Sequence, residues 1–226
     1  QVWKTSVAID YQLPVSFPLT VTGEFTVTKN INAVRLDNWN IKDADDTWNR
    51  FSGADNRYNF RNIDYKWNPS YVDENGVTRN FTGNACVLTN TSKGYGWTAN
   101  ITVNAEPVKD LNLMAAYTHT VMREVTGMPG SNASSAWSYM HTVNGPNFSG
   151  VQNSTFVVPD RIIANVSYKY KNEHFSLFYS GYSPQGWSYV YNGDLNGDGN
   201  NCDLIYIPRD DSEIQFVSDA HRQAFW

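Results

Sequence analysis

The sequence is poor in charged residues and contains no long apolar run. Of its 226 residues, 17% are charged and the net charge is −5, whereas soluble domains carry roughly 25% charged residues. A protein that follows a nucleic-acid backbone needs a basic face, so this balance argues against nucleic acid as a partner. No stretch reaches the roughly 18 consecutive apolar residues of a membrane-spanning helix, although membrane-spanning strands carry a much weaker signal.

Cysteine is also scarce, since Cys86 and Cys202 are the only two. Two cysteines do not make a disulfide framework. They pair if loops bring them together in an extracytoplasmic compartment, and otherwise they remain lone thiols. The sequence leaves both alternatives open.

What the sequence does contain is a repeated alternation of apolar and polar residues. From Trp97 to Glu106, one set of alternate positions is Trp, Ala, Ile, Val and Ala, and the other is Thr, Asn, Thr, Asn and Glu. Successive side chains of a β-strand point to opposite faces of the sheet, so such a segment has one apolar and one polar face. The same pattern predicts strands at about 2–11, 17–29, 97–106, 111–124, 160–170 and 174–190.

The connections between the predicted strands alternate between short and long. Short links join the two members of each pair, and long Gly- and Asn-rich loops occupy about 30–95, 125–159 and 191–226. Short turns on one side and long loops on the other are the layout of an outer-membrane barrel. We therefore predict an all-β fold, in which residues 1–226 form a segment of an antiparallel transmembrane β-barrel. About six strands form about three hairpins, with short periplasmic turns and long extracellular loops.

Two details favour a barrel over a soluble β-sandwich. The polar faces carry mostly Thr, Ser and Asn, whereas the solvent face of a sandwich usually carries many Lys and Glu. Aromatic residues also crowd the strand ends next to the short turns, as Tyr11, Phe17, Tyr168, Tyr170 and Phe175 do. Aromatic rings favour the lipid–water boundary, which gives membrane barrels an aromatic girdle. The alternative is that these rings belong to the core of a sandwich.

Several strings of the sequence resemble one family of membrane proteins. These are WKTSVAIDYQLPVSFPLTVTGEFTVTKNINAV, DNRYNF, VPDRIIANVSYKY and, most specifically, YSPQGWSYVYNGDLNGDGNNCDLIYIP. They resemble the C-terminal barrel region of the TonB-dependent receptors of Bacteroidetes, in the Oar-like group. Members of that group place a plug domain before the barrel and continue into further strands. The resemblance therefore implies a fragment without the plug and without the final strands.

The resemblance also implies active uptake of a nutrient ligand across the bacterial outer membrane. In such receptors the extracellular loops capture the ligand, and the TonB complex pulls on the plug with energy from the proton-motive force. The implied partners are outer-membrane lipid, the TonB complex through the plug, and a small-molecule, peptide or glycan ligand. Whether a surface lipoprotein caps the barrel is left open. The alternative is a soluble extracellular binding module, a β-sandwich stiffened by calcium.

The string NGDLNGDGNNCDLIYIP has the composition of a calcium-binding loop. Asp194, Asn196 and Asp198 stand at the first, third and fifth positions of an EF-hand-type loop, with a glycine at the sixth. The twelfth position is Ile205 where the motif needs a bidentate Glu, so one ligand would come from Asp203 folding back or from elsewhere. We expect these residues to hold a structural Ca²⁺ ion. The alternative is a plain tight turn, because Asn-Gly and Asp-Gly pairs readily adopt positive φ.

Aromatic residues on the long loops are candidates for ligand contact. Trp39, Trp48, Trp137 and Tyr139 lie among Asn, Asp and Ser residues, and aromatic faces beside amides are typical of sugar- or peptide-binding surfaces. The alternative is that these rings pack the long loops against one another. No histidine spacing or glycine-rich loop indicates a catalytic or phosphate-binding site, so we predict that the protein is not an enzyme.

Overall fold

The computed structural model describes residues 1–45 and 47–225, and it is built mainly of antiparallel β-strands. The chain separates into two compact units. The first, which we call the sheet unit, comprises Gln1–Arg35, Asn90–Gly127 and Gly150–Trp187. The second, the loop unit, comprises Leu36–Thr89, Met128–Ser149 and the segment that begins at Ser188. The all-β class predicted from the alternation is confirmed.

The helices are few and short. The strands are, in chain order, β1 (Val2–Gln12), β2 (Leu19–Asn30), β3 (Ala33–Asn38), β4 (Ser70–Val72), β5 (Thr78–Asn80), β6 (Cys86–Thr91), β7 (Tyr95–Val108), β8 (Leu111–Glu124), β9 (Gln152–Asn153), β10 (Asp160–Tyr170) and β11 (Glu173–Tyr182). The helices are α1 (Ala133–Ser138) and α2 (Asp219–Phe225), with 3₁₀ turns at Pro146–Phe148 and Asp211–Glu213. No helix in the described residues is long and apolar enough to cross a membrane.

The sheet unit contains one antiparallel sheet in the order β1-β2-β7-β8-β10-β11, with β9 paired to β8. The pairs β1–β2, β7–β8 and β10–β11 are hairpins with short turns, as the sequence predicts. Asp110 and Lys171 adopt φ of 66° and 53° in the turns after β7 and β10, a conformation that Asp tolerates well and Lys rarely adopts. The outer strands are β1 and β11, so within the described residues the sheet is open and does not close into a barrel.

Across the middle of this sheet, one face is apolar from one edge strand to the other, because residues that pair across strands share a face. One row across the sheet reads Tyr11, Val21, Val103, Ala115, Ala164 and Tyr179. The next row reads Ile9, Gly23, Ile101, Tyr117, Ile162 and Gly181. These side chains are not packed in an interior, since Ile101 and Ile162 are each 49% exposed, and Leu177, on the same face of β11, is 73% exposed. We call this side of the sheet the apolar face.

The opposite side, which we call the polar face, is lined mainly by small polar side chains that hydrogen-bond across strands. The hydroxyl oxygens of Ser6 and Thr26 are 2.8 Å apart, and Asn100 Nδ2 donates to Thr118 Oγ1 at 2.7 Å. A groove of about 350 Å³ lies against Thr26, Asn100 and Thr118. On β10 this face also carries Ile163, so its polar character is strongest on the central strands.

The last strand ends earlier than residue 190, where the sequence pattern places it. β11 ends at Tyr182, and Ser183 closes the ladder because its N–H donates to Asp160 O at 2.9 Å and its Oγ accepts from Asp160 N at 3.0 Å. The next residue is Pro184, which has no backbone N–H to offer to a ladder. The aromatic alternation that follows it therefore does not continue the strand.

The long segments predicted to be loops contain strands and a core of their own. β3 pairs with β6, and β4 pairs with β5. Leu36, Ile41, Ala136 and Trp137 form a buried cluster in the loop unit. The partly buried residues packed against this cluster are Trp48, Tyr65, Cys86, Met128 and Phe148. These segments therefore carry enough apolar surface to bury a core separate from the sheet unit.

Buried asparagines connect parts of the loop unit that are far apart in the sequence. Asn38 is 0% exposed, its N–H donates to Asn147 Oδ1 at 2.8 Å, and its backbone O accepts from Asn147 Nδ2 at 2.9 Å. Asn38 Oδ1 also accepts from the N–H groups of Asn40 at 3.1 Å and Ala85 at 3.0 Å. A side-chain amide supplies both donors and acceptors. These bonds therefore satisfy backbone groups and connect segments, as the hydrogen bonds between paired strands do.

Candidate metal centre

The loop that begins at Asp194 is folded around the carboxylate of that residue. This carboxylate accepts hydrogen bonds from the N–H groups of Gly197 at 2.6 Å, Asp198 at 3.2 Å and Gly199 at 2.9 Å. Such bonds let an aspartate satisfy backbone groups where no helix or strand does so. Gly199 has φ of 88°, which side-chain-bearing residues rarely adopt, so glycine suits the sixth position of the loop.

Three carboxylates meet in this loop, and we call them the carboxylate site: Asp194, Asp198 and Asp203. Each offers an oxygen atom, and these oxygens lie within 4.8 Å of one another. Asp203 returns to the loop because its Oδ2 accepts a hydrogen bond from Leu195 N at 2.7 Å. The exposed fraction is 1% for Asp198 and 0% for Asp203, so two of the three carboxylates are buried.

One oxygen of each buried carboxylate has no hydrogen-bond partner among the described residues. Asp198 Oδ1 accepts from Asn200 N at 2.6 Å, whereas Asp198 Oδ2 has no donor. Asp203 Oδ2 is bonded to Leu195 N, whereas Asp203 Oδ1 has no donor. Buried polar atoms are nearly always partnered, and a buried charge is costly unless it is paired. A cation would therefore be stabilised most strongly at these two oxygens.

Arg57 supplies part of the countercharge. It is 1% exposed, its Nε donates to the two oxygens of Asp55 at 2.8 and 2.9 Å, and its Nη2 donates to Leu204 O at 2.7 Å. Arg57 Nη1 lies 3.9 Å from Asp203 Oδ1, which is too far for a hydrogen bond. Because Asp55 already neutralises Arg57, the carboxylate site keeps most of its negative charge.

The environment opposes ionisation of the buried carboxylates. Burial raises the pKa of Asp198 from 3.8 to about 7, and the nearby charges of Asp203 and Asp194 act in the same direction. Burial also raises the pKa of Asp203, against the lowering effects of the Leu195 N–H and Arg57. Loss of water and like charges both disfavour the ionised form. A nearby cation would lower the pKa of these carboxyl groups and favour their ionised form.

The loop is bonded to both other segments of the loop unit. Phe60 N donates to Asn196 O at 2.8 Å, which connects the loop to the first segment. Asn200 Nδ2 donates to Met140 O at 2.9 Å, which connects it to the second segment. Asn196 and Asn200 are both 0% exposed, so the loop lies in the interior of the unit. A change at the carboxylate site therefore reaches the packing of all three segments.

The structure brings the three predicted carboxylate ligands together. Asp194, Asp198 and Asp203 converge, and the side-chain amide of the fourth predicted ligand, Asn196, is hydrogen-bonded within the loop unit. Asn196 Oδ1 accepts from Asp198 N at 3.1 Å and its Nδ2 donates to Val143 O at 3.5 Å. In a buried loop the backbone groups must be satisfied locally, and the amide of Asn196 supplies two of these hydrogen bonds.

Two residues beside the site are not predicted by the spacing of the acidic loop. Thr142 is 3% exposed, forms a backbone bridge with Asp203, and has no hydrogen-bond partner for its Oγ1 within the described residues. Arg57 belongs to the string DNRYNF, which carries part of the family resemblance. Neither residue shows a sequence signal that relates it to a loop so far along the chain.

The aromatic residues predicted to contact a ligand have different environments. Trp39 is 63% exposed and Tyr139 is 51% exposed, so both remain candidates. Trp48 is half-buried, and its ring centroid lies 5.4 Å from that of Phe60. Trp137 is 1% exposed and its Nε1 donates to Asn147 Oδ1 at 3.0 Å. Trp137 is therefore a core residue, in contrast to the prediction that it contacts a ligand.

Cys86 and Cys202 are both free thiols, so the lone-thiol alternative applies. Burial raises the pKa of each thiol, and the carboxylate of Asp203 adds to this effect at Cys202. A raised pKa lowers the fraction of reactive thiolate. Neither cysteine belongs to the group of potential metal ligands.

No family model, no curated protein and no solved structure matches this chain. Membership of the receptor family that the sequence strings resemble therefore stays a prediction.

Proposed function

We propose that this chain forms part of the wall and of the outer loops of a TonB-dependent receptor, a transporter in the bacterial outer membrane. The observation that carries this proposal is the apolar face, which runs across the whole sheet from β1 to β11 and remains exposed. Soluble monomers rarely expose apolar patches larger than a few hundred Å², and larger ones mark contact with a protein or a membrane. Lipid hydrocarbon is the contact that we assign to this face.

The composition of the polar face supports the assignment of lipid to the apolar face and of water to the polar face. Its Thr, Ser and Asn side chains bond to one another, as Asn100 does to Thr118 at 2.7 Å. Barrel strands alternate between side chains that face lipid and side chains that face a polar lumen. A soluble β-sandwich would instead cover the apolar face with a second sheet, yet Ile101 and Ile162 are each 49% exposed.

Strand length and aromatic position agree with this proposal. β7 and β8 have 14 residues each and β10 has 11, and a strand that crosses a bilayer needs about 9–11 residues. Tyr11, Tyr170 and Phe175 stand next to the short turns and are 60%, 53% and 60% exposed. Exposed rings at strand ends suit the boundary between lipid and water.

The partners follow from the same proposal. Outer-membrane lipid contacts the apolar face, and the TonB complex supplies energy through a plug domain. A small-molecule, peptide or glycan ligand meets the loop unit at exposed aromatic residues, of which Trp39 and Tyr139 are the candidates. A surface lipoprotein is a further candidate partner on the same side. The role of the chain is transport and not catalysis.

Fractionation of cells that express the intact protein tests this proposal. We expect the protein in the outer-membrane fraction, soluble only with detergent, and with a gel mobility that changes on heating. Heat-modifiable mobility reports a sheet that stays folded in detergent. A protein that is monomeric and soluble in buffer without detergent would overturn the assignment to lipid.

A further inference from the structure

Buried polar atoms without a hydrogen-bond partner are concentrated in one part of the molecule. Among the described residues these side-chain atoms are Arg57 Nη1, Glu124 Oε1, Thr142 Oγ1, Asp198 Oδ2 and Asp203 Oδ1. All except Glu124 belong to the loop unit. Asp203 forms a backbone bridge with Thr142 and lies 3.9 Å from Arg57. Native proteins leave few such atoms unsatisfied, so their concentration here indicates that the carboxylate site binds a ligand.

The net negative charge at the carboxylate site favours a cation as the ligand. With every group ionised, Asp55 and the three carboxylates of the site carry four negative charges and Arg57 carries one positive charge, which leaves three negative charges. Two of the carboxylates are almost fully buried, where like charges repel strongly because little water screens them. A divalent cation would remove two of the three net charges, whereas an anion would add to the repulsion.

The donor atoms and their spacing select calcium among divalent cations. All ligand atoms of the group are carboxylate oxygens within 4.8 Å of one another, and two oxygens on opposite sides of a Ca²⁺ ion are at most about 5 Å apart. Zn²⁺ prefers His and Cys ligands, which this group does not contain. Mg²⁺ requires a near-ideal octahedron and retains several waters, which suits a buried irregular loop less well.

We propose that Ca²⁺ binds Asp194, Asp198 and Asp203 and that the loop unit depends on this ion for its folded state. The dependence arises because the same loop is bonded to both other segments. Asn201 N donates to Ser138 O at 3.1 Å, and Tyr65 Oη donates to Gly197 O at 3.0 Å. Without the ion, the ionised carboxylates repel one another, which opens the loop and releases these contacts. This inference does not depend on the transport function.

Calcium titration of the intact protein, purified in detergent and freed of metal with EDTA, is the direct test. We expect saturable heat of binding in calorimetry and a higher melting temperature of the loop unit. The dissociation constant should be on the order of 10⁻⁴–10⁻³ M, the range of extracellular calcium modules. Mg²⁺ at the same concentration should give a much smaller shift. No heat and no shift at about 5 mM Ca²⁺ would overturn the proposal.

Charge-neutral variants identify the ligands. Asp198→Asn and Asp203→Asn each remove one carboxylate, so the calcium-dependent rise in melting temperature should be lost in both. The control is Asp43→Asn, which changes an exposed carboxylate of the same unit and should keep the full response. A response that survives in Asp198→Asn and Asp203→Asn would show that the ion binds elsewhere.

Two glycines with similar positive φ angles provide a second, steric test. A Cβ at Gly145, where φ is 87°, would lie 2.5 Å from Asp198 Oδ2. A Cβ at Gly53, where φ is 93°, would meet nothing within 4 Å. Both alanine variants place a side chain at positive φ, but only Gly145→Ala displaces a ligand oxygen. We expect at least a tenfold weaker affinity for Ca²⁺ in Gly145→Ala than in Gly53→Ala, and equal affinities would contradict the assigned ligand.

Limited trypsin digestion of the unmodified protein gives a readout that no folding defect of a variant can obscure. Cleavage after the buried Arg57 should appear in EDTA and be suppressed by Ca²⁺. Arg79, whose side chain is 57% exposed, is the control within the same unit and should be cut in both conditions. Identical cleavage after Arg57 with and without Ca²⁺ would contradict the dependence of folding on the ion. That result would leave the outer-membrane assignment untouched, because fractionation tests it separately.

Discussion

Replacing Val103 with arginine places a charge in the middle of the apolar face. Val103 stands within β7 (Tyr95–Val108) and pairs with Val21 on one side and Ala115 on the other. If lipid covers this face, an arginine near the middle of the bilayer costs roughly 2–4 kcal/mol. That cost lowers the ratio of folded to unfolded protein by about 30- to 900-fold.

The neighbouring residue provides the matched control. Thr102 is half-buried, as Val103 is, but it pairs with Thr22 and Ala116 on the polar face. An arginine at Thr102 keeps its charge in a polar environment, so we expect a loss of about 1 kcal/mol or less. The two variants add the same side chain at adjacent positions of one strand, so the difference between them reports the environment of each face.

Denaturant titration of the intact protein in lipid vesicles measures this difference. Tryptophan fluorescence and the heat-modifiable band on gels follow the folded fraction of each variant. We expect Val103→Arg to unfold at clearly lower denaturant concentration than Thr102→Arg. On a face exposed to water, arginine at Val103 would cost little. Equal midpoints for the two variants, or a greater loss at Thr102, would refute lipid contact at the apolar face.

Three other substitutions test the loop unit. Trp137→Ala should destabilise the loop unit by about 3–5 kcal/mol because the substitution empties a core position. Trp39→Ala should leave the melting temperature unchanged, and equal effects of the two substitutions would contradict the assigned core. Arg57→Ala should cost about 3–5 kcal/mol, since it removes a buried guanidinium that is bonded to Asp55 and lies near the buried Asp203. The exposed Arg79→Ala should cost about 0–1 kcal/mol, and thermal melting in Ca²⁺ compares the two variants. Tyr139→Ala should weaken ligand binding without changing the melting temperature, and unchanged binding would remove Tyr139 from the ligand contacts.

The strands of the sheet unit are predictable from sequence because their information is local. An alternation such as that from Trp97 to Glu106 assigns each side chain to a face, and short turns join strands that pair. The extent of the last strand is less predictable, since aromatic residues continue the alternation beyond Tyr182. At that point Pro184 decides the outcome by removing a backbone donor, and it outweighs the hydrophobic pattern.

The loop unit and its site are only partly predictable. The spacing of Asp194 and Asp198 within one short string indicates a shared site, and the return of Asp203 completes it. Arg57 is outside the reach of such reasoning, because it meets the site through tertiary packing between distant segments. The same holds for Asn38 and Asn147, whose mutual hydrogen bonds follow no periodic pattern that a sequence could display.

The amide pair of Asn38 and Asn147 separates the residues that build the loop unit from those that face outward. A few interior side chains fix the path of the backbone, so protruding rings such as Trp39 and Tyr139 are not needed for folding. Substitutions at such exposed positions change the binding surface and leave the backbone framework of the loop unit intact. One framework of this kind can therefore present different surfaces through substitutions at exposed positions alone.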